Sequence, residues 1–213
     1  MRNALAFCRA VACLNLPLIF HTMPFIDDFC WFELSGTHSR AQTKTPAIFL
    51  DRDGVIIEEK HYLCDPCGVE IIPGVPRKLE ELRASGLPVI VVTNQSGIGQ
   101  GLFGWDDYDA VHRRMIELIG ISRPFAAVYA NGHGPRETGA PWRKPNPGML
   151  LQAAADLNLD MGASVMVGDK LVDLQAAARA GIGRLVHVAS GHGRSEREKV
   201  IACFSNAELV NSL

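Results

Sequence analysis

Residues 47–54 have the sequence Ala-Ile-Phe-Leu-Asp-Arg-Asp-Gly, a short apolar run that ends at two acidic residues and a glycine. An unbroken apolar run of this length is typical of a strand buried on both faces of a parallel sheet. Four further runs predict strands of this kind, over 87–92, 125–129, 164–167 and 184–188. Helix formers and stop signals predict helices between them, over 75–85, 106–119, 148–157 and 171–180.

The alternation of strands and helices predicts an α/β fold. We expect a doubly wound, mainly parallel Rossmann-like sheet with helices on both faces. Residues 52–92, which separate the first two strand ends, are filled by a loop, a helix and a strand. We therefore expect no large cap domain, and a cleft that is roofed only by loops.

The composition limits the classes of partner. The chain has 213 residues, of which 47% are hydrophobic, enough for one α/β domain with a full core. Its 21 basic and 23 acidic side chains give a formal charge of -2, which argues against nucleic acid, because that partner requires a basic face. No apolar stretch is long enough for a membrane span, so we expect no membrane partner. The scattered cysteines favour a reducing compartment, and we expect a cytoplasmic monomer.

The first 45 residues differ from the rest of the chain, and we treat them as an N-terminal extension of uncertain order before a domain at 46–213. Residues 4–20 are apolar, but Arg9 and Asn15 interrupt them, and residues 23–45 show no periodicity. Three interpretations stay open: a weak targeting segment, a poorly ordered tail, or a region included by a mis-assigned start.

Polar residues follow the predicted strands at the edge where ligands bind in such sheets. The first strand ends in Asp51 and Asp53, the second in residues 93–97, and the fourth in residues 168–170. An Arg-Lys-Pro string at 143–145 lies between the third and fourth strands. We expect these groups to meet in one cleft.

Asp51 and Asp53 are two residues apart, so in an extended chain both carboxylates face one side and Arg52 faces the other. Close carboxylates repel unless a cation lies between them, and Asp169 would complete a cluster of oxygen ligands. Magnesium prefers such ligands, so the sequence predicts a Mg²⁺ site. Each Asp taken singly would more often be a turn former or a helix cap, and it is their convergence that favours a site.

Lys144 and Thr93 supply what a phosphate group requires, a cation and a hydroxyl, and the main-chain N–H groups of residues 94–97 add further donors. A carboxylate nucleophile, a second carboxylate as acid and base, a cation and donors together suit two-step phosphoryl transfer through a covalent intermediate. The sequence therefore predicts hydrolysis of a small phosphate ester.

Four strings in the same order as in the haloacid dehalogenase superfamily carry a resemblance to it: residues 49–54, 91–97, 143–149 and 166–170. Within that superfamily they resemble the histidinol-phosphatase subgroup, and most of all the heptose bisphosphate phosphatases, from residue 46 to the C-terminus. The resemblance implies as substrate the 7-phosphate of D-glycero-D-manno-heptose 1,7-bisphosphate, with histidinol phosphate as the alternative. A magnesium-binding regulatory protein that has lost catalysis is the alternative from another class, and the charge balance disfavours a DNA 3′-phosphatase.

The resemblance also implies residue roles. Asp51 would be the nucleophile and a metal ligand, Asp53 the acid and base with its main-chain carbonyl on the metal, and Asp169 the third ligand. Thr93 and Lys144 would stabilise the phosphoryl group. Asp173 would orient Lys144 or cap a helix. The implied substrate contacts are Glu59, Lys60, His61, Tyr62, Asn94, Gln95, Ser96, Arg143 and Lys170.

The resemblance breaks in the loop at residues 131–142. Relatives of this kind bind zinc there through three cysteines and a histidine. Here His133 is kept, but Asn131, Ala140 and Trp142 stand at the cysteine positions, so we expect no zinc, because a tetrahedral site needs about four strong ligands. Trp142 is expected to stiffen the loop by packing, with stacking against a ligand as the alternative. A separate C-x-x-C pair is interpreted as two loop thiols, with a relocated metal site as the alternative: Cys64 and Cys67.

Overall fold

The computed structural model describes residues 27–35 and 43–213. The strands are β1 (Cys30–Leu34), β2 (Ile48–Leu50), β3 (Val89–Asn94), β4 (Ala127–Asn131), β5 (Val165–Gly168), β6 (Arg184–Val188) and β7 (Glu208–Val210). The helices are α1 (Val75–Ala84), α2 (Ser96–Gly99), α3 (Trp105–Ile119), α4 (Gly148–Leu157), α5 (Leu171–Arg179) and α6 (Gly193–Cys203).

The strands form one sheet in the order β1-β4-β3-β2-β5-β6-β7. Each neighbouring pair is parallel except β1 and β4, which are antiparallel. The strand order reverses beside β2, so the residue that follows β2, Asp51, emerges at the point of the sheet where ligands bind in this class of fold. The predicted mainly parallel, doubly wound architecture is confirmed.

The core lies on both faces of the sheet because neighbouring side chains of a strand point in opposite directions. Phe49 packs in one cluster with Met149 of α4 and Leu174 of α5. Leu50 packs in the other cluster with Leu79 of α1 and Met115 of α3. Burial of these apolar side chains fixes β2 between two layers of helices, and with it the position of the acidic residues that follow.

Among the described residues, four strands or α-helices were not predicted from the sequence: β1, β7, α6 and α2, which has four residues. β1 and β7 are edge strands, which pair on one side only, and Phe32, Leu34 and all of β7 are exposed. Such strands lack the continuous apolar run of a buried strand. α6 buries only Gly193 and Val200, so its sequence carries little helical periodicity.

β1 lies within the first 45 residues, although the sequence there showed no period. It pairs with β4 from Cys30 opposite Asn131 to Leu34 opposite Ala127. The division at residues 45 and 46 stays a prediction, and residues 4–20, with Cys8 and Cys13, lie outside the described residues.

Residues 51–88, between β2 and β3, form a turn, a short 3-10 helix at Pro66–Gly68 and α1, and no separate cap domain. In the part of the chain that the structure describes, no helix has the length and apolar character needed to cross a bilayer.

Candidate active site

A cleft opens at the carboxyl ends of β2, β3 and β5. Its lining includes most of the predicted site residues: Asp51, Asp53, Glu59, Lys60, His61, Tyr62, Asn94, Gln95, Ser96, Lys144, Lys170 and Asp173. Thr93 and Asp169 are buried next to these residues. The folding of three strand ends to one edge of the sheet thus gathers the groups as the sequence predicted.

Lys144 is buried between two buried carboxylates. Its Nζ lies 2.9 Å from Asp51 Oδ1 and 2.6 Å from Asp173 Oδ1, and it donates to the main-chain oxygen of Val92 at 2.8 Å. Burial would lower the pKa of Lys144, but Asp173 and Asp51 hold that pKa above its ordinary value. The site therefore contains a fixed positive charge beside Asp51.

The negative charge of Asp51 is less well neutralised by its neighbours than the positive charge of Lys144. Burial raises the pKa of Asp51 to about 6, against the opposing effect of Lys144, and the neighbouring charge of Asp173 adds to the rise. Because one ammonium group is shared between two carboxylates, Asp51 keeps an electrostatic need for a further cation.

The carboxylate of Asp169 needs a neighbouring cation even more than that of Asp51. Burial, together with the charges of Asp51 and Asp173, raises the pKa of Asp169 to about 8. Its Oδ2 accepts a hydrogen bond from the N–H of His192 at 2.8 Å, but its buried Oδ1 has no hydrogen-bond partner among the described residues. Gly54 permits this burial, since a Cβ there would lie 2.4 Å from Asp169 Oδ2.

Two groups of side chains have the spacing of metal ligands in the described ranges 27–35 and 43–213. Asp51, Asp169 and Asp173 each offer an oxygen within 4.8 Å of the others, and Glu59, Asp169 and His192 form a second group that reaches the surface. The all-oxygen first group, with its orphaned Asp169 Oδ1, fits a hard divalent cation such as Mg²⁺. The side chain of Asp53 belongs to neither group, and neither contains His133 or the Cys64–Cys67 pair.

These pKa shifts predict how the stability of the metal-free protein depends on pH. The folded protein holds the protons of Asp51 and Asp169 more tightly than the unfolded chain, in which a carboxyl pKa is about 3.9. Their contribution to stability is therefore complete below about pH 4 and is lost as the pH rises through about 6 and about 8. In EDTA, we expect the unfolding temperature to fall between pH 5 and pH 8, and Mg²⁺ to raise it more at pH 8. An Asp51→Asn/Asp169→Asn variant should lose most of this slope; an unchanged slope would contradict the assignment.

Asp53 is held by neighbouring side chains. Arg52 donates to its carboxylate from Nε at 3.1 Å and from Nη2 at 3.0 Å, and Gln95 Nε2 donates to it at 2.9 Å. Burial alone would raise the pKa of Asp53, but Arg52, with Gln95 and Lys170, holds it below its ordinary value. Gln95 Nε2 also lies 2.9 Å from Thr93 Oγ1, so one amide links the second carboxylate to the predicted phosphate-binding hydroxyl.

The prediction that Arg52 faces away from the cleft that holds the two carboxylates is wrong, because Arg52 lines it. β2 ends at Leu50, and the N–H of Ile57 returns to the main-chain oxygen of Arg52, so the chain turns instead of staying extended. The alternation of a strand no longer applies after such a turn. Arg52 is buried and its guanidinium lies 5.2 Å from the ring centroid of Tyr108, a cation–π contact that fixes it beside Asp53.

Glu59 and Lys170 face each other across the cleft at 3.0 Å. His192 Nδ1 lies 3.4 Å from the same Glu59 oxygen and 3.6 Å from Asp169. The predicted substrate contacts Glu59 and Lys170 are therefore paired with each other, and a substrate that binds either one must exchange this ion pair for its own contacts.

Lys60, His61 and Tyr62 form a wall of the cleft. Lys60 pairs with Glu70 at 2.6 Å, and the rings of His61 and Tyr62 have centroids 4.2 Å apart. The hydroxyl of Tyr62 accepts a hydrogen bond from Gln100 at 2.8 Å. This wall is fixed by its own contacts and presents two aromatic rings towards the cleft.

The side chain of Asn94 forms hydrogen bonds with the main chain of Lys144. Its Oδ1 accepts from the Lys144 N–H at 3.1 Å, and its Nδ2 donates to the Lys144 carbonyl at 3.0 Å. Arg143 donates to the main-chain oxygen of His133 at 2.9 Å and is not among the residues that line the cleft. Ser96, the first residue of α2, lines the cleft together with Asn94 and Gln95.

Asp173 makes both contacts that the sequence left open for it. Its Oδ1 lies beside the ammonium group of Lys144, and its Oδ2 accepts from the N–H of Lys170 at 2.9 Å at the start of α5. Its carboxylate thereby ties the N-terminus of a helix to the buried lysine.

The altered loop is held by packing and by hydrogen bonds. Trp142 is buried, and its ring meets that of Tyr129 edge-on at 5.7 Å. Asn146 Nδ2 donates to the main-chain oxygens of Thr138 at 2.8 Å and Ala140 at 2.9 Å. These contacts are the means by which this stretch keeps a defined shape.

Two residues near the catalytic groups were missed by sequence reasoning, Arg52 and His192. His192 follows β6 in a Ser-Gly-His-Gly string. The rule that polar residues at carboxyl strand ends meet in the cleft would have found it, had the fifth predicted strand been included. For Arg52 the sequence offered no signal beyond its place between two aspartates.

Comparison with known proteins places these motifs in a family. Residues 48–101 match the haloacid dehalogenase-like hydrolase family model, and residues 141–213 match the HAD-hydrolase-like model. A D-glycero-beta-D-manno-heptose-1,7-bisphosphate 7-phosphatase of Mesorhizobium japonicum is 43% identical over 146 residues, 65% of this chain and 67% of the relative. The enzyme of that name from Yersinia pestis is 41% identical over 161 residues, 68% of this chain and 81% of the relative.

A solved structure has the same fold. It is the D,D-heptose 1,7-bisphosphate phosphatase of B. bronchiseptica, complexed with magnesium and phosphate. The two chains superpose with a TM-score of 0.69 and are 30% identical, over 78% of this chain and 92% of the other.

Proposed function

Because the chain belongs to the haloacid dehalogenase-like hydrolases and is a phosphoric monoester hydrolase, we propose that it removes the 7-phosphate of D-glycero-D-manno-heptose 1,7-bisphosphate in a magnesium-dependent reaction. The observation that carries the chemistry is the meeting of Asp51, Lys144 and Asp169 at the carboxyl ends of neighbouring strands. The names of the similar enzymes support the choice of substrate, as does the bound magnesium and phosphate of the B. bronchiseptica enzyme.

In the first step, a carboxylate oxygen of Asp51 attacks the phosphorus atom and the bond between phosphorus and the sugar oxygen breaks. Asp53 gives a proton to the departing alkoxide. Asp53 is depressed in pKa by Arg52, and the negative charge of an arriving phosphate opposes that effect and favours proton uptake. The ammonium group of Lys144 and the hydroxyl of Thr93 neutralise and orient the phosphoryl oxygens.

In the second step, Asp53 removes a proton from a water molecule, which attacks the phosphorus atom of the aspartyl phosphate. The bond to Asp51 breaks and inorganic phosphate leaves. Asp51 and Asp169, with the main-chain carbonyl of Asp53, are the groups that would hold Mg²⁺. When bound, the cation supplies the positive charge that lets an anionic nucleophile approach an anionic ester.

The proposal is tested by comparing heptose 1,7-bisphosphate with histidinol phosphate, each with Mg²⁺ and with EDTA. We expect kcat/KM to be at least about 100-fold higher for the heptose, since a site built for one polar substrate discriminates strongly against another. Phosphorus NMR should show loss of the ester at carbon 7 and retention of that at carbon 1. A preference for histidinol phosphate would contradict the substrate, and full turnover in EDTA would contradict the metal.

A further inference from the structure

A chain of polar side chains runs from Asp27, which precedes β1, to the main chain of the catalytic lysine. His133 Nε2 lies 3.1 Å from Asp27 Oδ2, and His133 Nδ1 lies 2.9 Å from Asn131 Oδ1. Asn131 Nδ2 donates to Asn94 Oδ1 at 3.4 Å, and Asn94 holds both main-chain groups of Lys144. We propose that His133 is a positioning residue that fixes Lys144 through this chain.

The main-chain groups of Lys144 determine the direction of each hydrogen bond. Its N–H can only donate and its carbonyl can only accept, so Asn94 must turn Oδ1 to the first and Nδ2 to the second. The neighbour of Asn94 Oδ1 must then be a donor, which orients Asn131 with its Nδ2 towards Asn94. Asn131 consequently presents its Oδ1 to His133.

The ring of His133 therefore contacts an oxygen atom at each nitrogen. Nδ1 donates to the Asn131 amide oxygen, while Nε2 lies beside the Asp27 carboxylate. Together the two contacts fix the orientation of the imidazole, and loss of either contact frees it.

Further contacts hold the loop around His133. Glu137 lies on the same loop and accepts from the N–H of Gly134, and the ring of Phe29 packs against the imidazole with a centroid distance of 4.9 Å. The guanidinium of Arg143 donates to the main-chain oxygen of His133 at 2.9 Å. Apart from Asp27, these are the charged neighbours that the hydrogen bonds of the described residues place at this ring.

The loop that contains Asn131 and His133 is tightly packed, so it cannot easily rearrange when one contact is lost. Asn131 is fully buried, so an amide that loses a partner there is costly. The N–H of Gly132 donates to the carbonyl of Phe29 at 2.7 Å, and the N–H of Gly99 donates to the carbonyl of Gly132 at 2.8 Å. A Cβ on Gly132 would lie 2.9 Å from the ring of Trp105. A shift of His133 is therefore passed on to Asn131 and to the lysine.

The test uses the full-length chain with the substitutions His133→Ala, Asp27→Ala and Asp27→Asn. Glu33→Gln is the matched control, because Glu33 lies on β1 and pairs with His112 at 3.5 Å, outside the chain of contacts. We expect His133→Ala and Asp27→Ala to lower kcat about tenfold with KM within about threefold, because a misplaced lysine weakens the transition state more than binding. Asp27→Asn should lie between Asp27→Ala and the wild type.

The unfolding temperature of each variant is measured in parallel, so that loss of folded protein is not counted as loss of kcat. A kcat of His133→Ala or of Asp27→Ala equal to that of Glu33→Gln, or a rise in KM with kcat unchanged, would overturn the proposal. The activity readout rests on the proposed substrate. Turnover of p-nitrophenyl phosphate is therefore measured as well, so that failure of the substrate proposal can be told apart from failure of this one.

Discussion

Replacing Asp51 with Asn should lower kcat by roughly four to six orders of magnitude, the scale of losing a covalent nucleophile, and should leave the protein folded. The amide has the shape of the carboxylate, and its oxygen can still accept from Lys144 Nζ, which lies 2.9 Å from Asp51 Oδ1. The amide is not a competent nucleophile towards phosphorus, because it lacks the negative charge of the carboxylate. Rapid-quench assays of phosphate release, with the unfolding temperature measured in parallel, check both halves of this prediction.

The fold should survive the substitution because the buried negative charge of Asp51 destabilises the folded protein. This follows from burial, which raises the pKa of Asp51 to about 6. An uncharged isostere removes that cost. Asp109→Asn is a suitable control, since Asp109 pairs with Arg113 on α3 and takes no part in the cleft. Near-normal turnover of Asp51→Asn, repeated with Asp51→Ala, would mean that another group attacks the ester.

The parts of the fold that could be predicted are those where burial dictates sequence. The central strands β2 to β6 are covered by helices, so each needs an apolar run, and the predicted positions agree within a few residues. Edge strands have no such requirement. β1 exposes Phe32 and Leu34, and an exposed apolar residue looks the same in sequence whether it lies in a strand or in a loop.

The catalytic groups could be located from sequence because strand ends meet at one edge of a parallel sheet. The partners of those groups could not. Arg52 lies beside Asp53 because the chain turns after Leu50, and no periodicity reports a turn. Asn94 was predicted to contact substrate, yet its amide holds the main chain of Lys144, a contact across 50 residues of sequence. The residue type predicts what a side chain can do, whereas the tertiary contacts determine which group it binds.

Lys144→Met should cost both activity and stability. The ammonium group lies between the carboxylates of Asp51 and Asp173, so its removal leaves two buried negative charges that repel each other. Breaking a buried pair in this way costs about 3–5 kcal/mol, and the loss of the cation from the phosphoryl group should lower kcat about 1000-fold. Urea unfolding and phosphate release measure the two effects. Lys78→Met, on the surface of α1, is the matched control.

The two losses can be separated by adding Asp173→Asn to Lys144→Met. The double variant has one buried carboxylate fewer, so most of the lost stability should return, while kcat should stay low because no cation faces the phosphate. The single variant should lose more stability at pH 8 than at pH 5, since without Lys144 the fold holds the proton of Asp51 more tightly and that contribution is lost as the pH rises. Recovery of activity together with stability would instead show that Lys144 acts only as support for the fold.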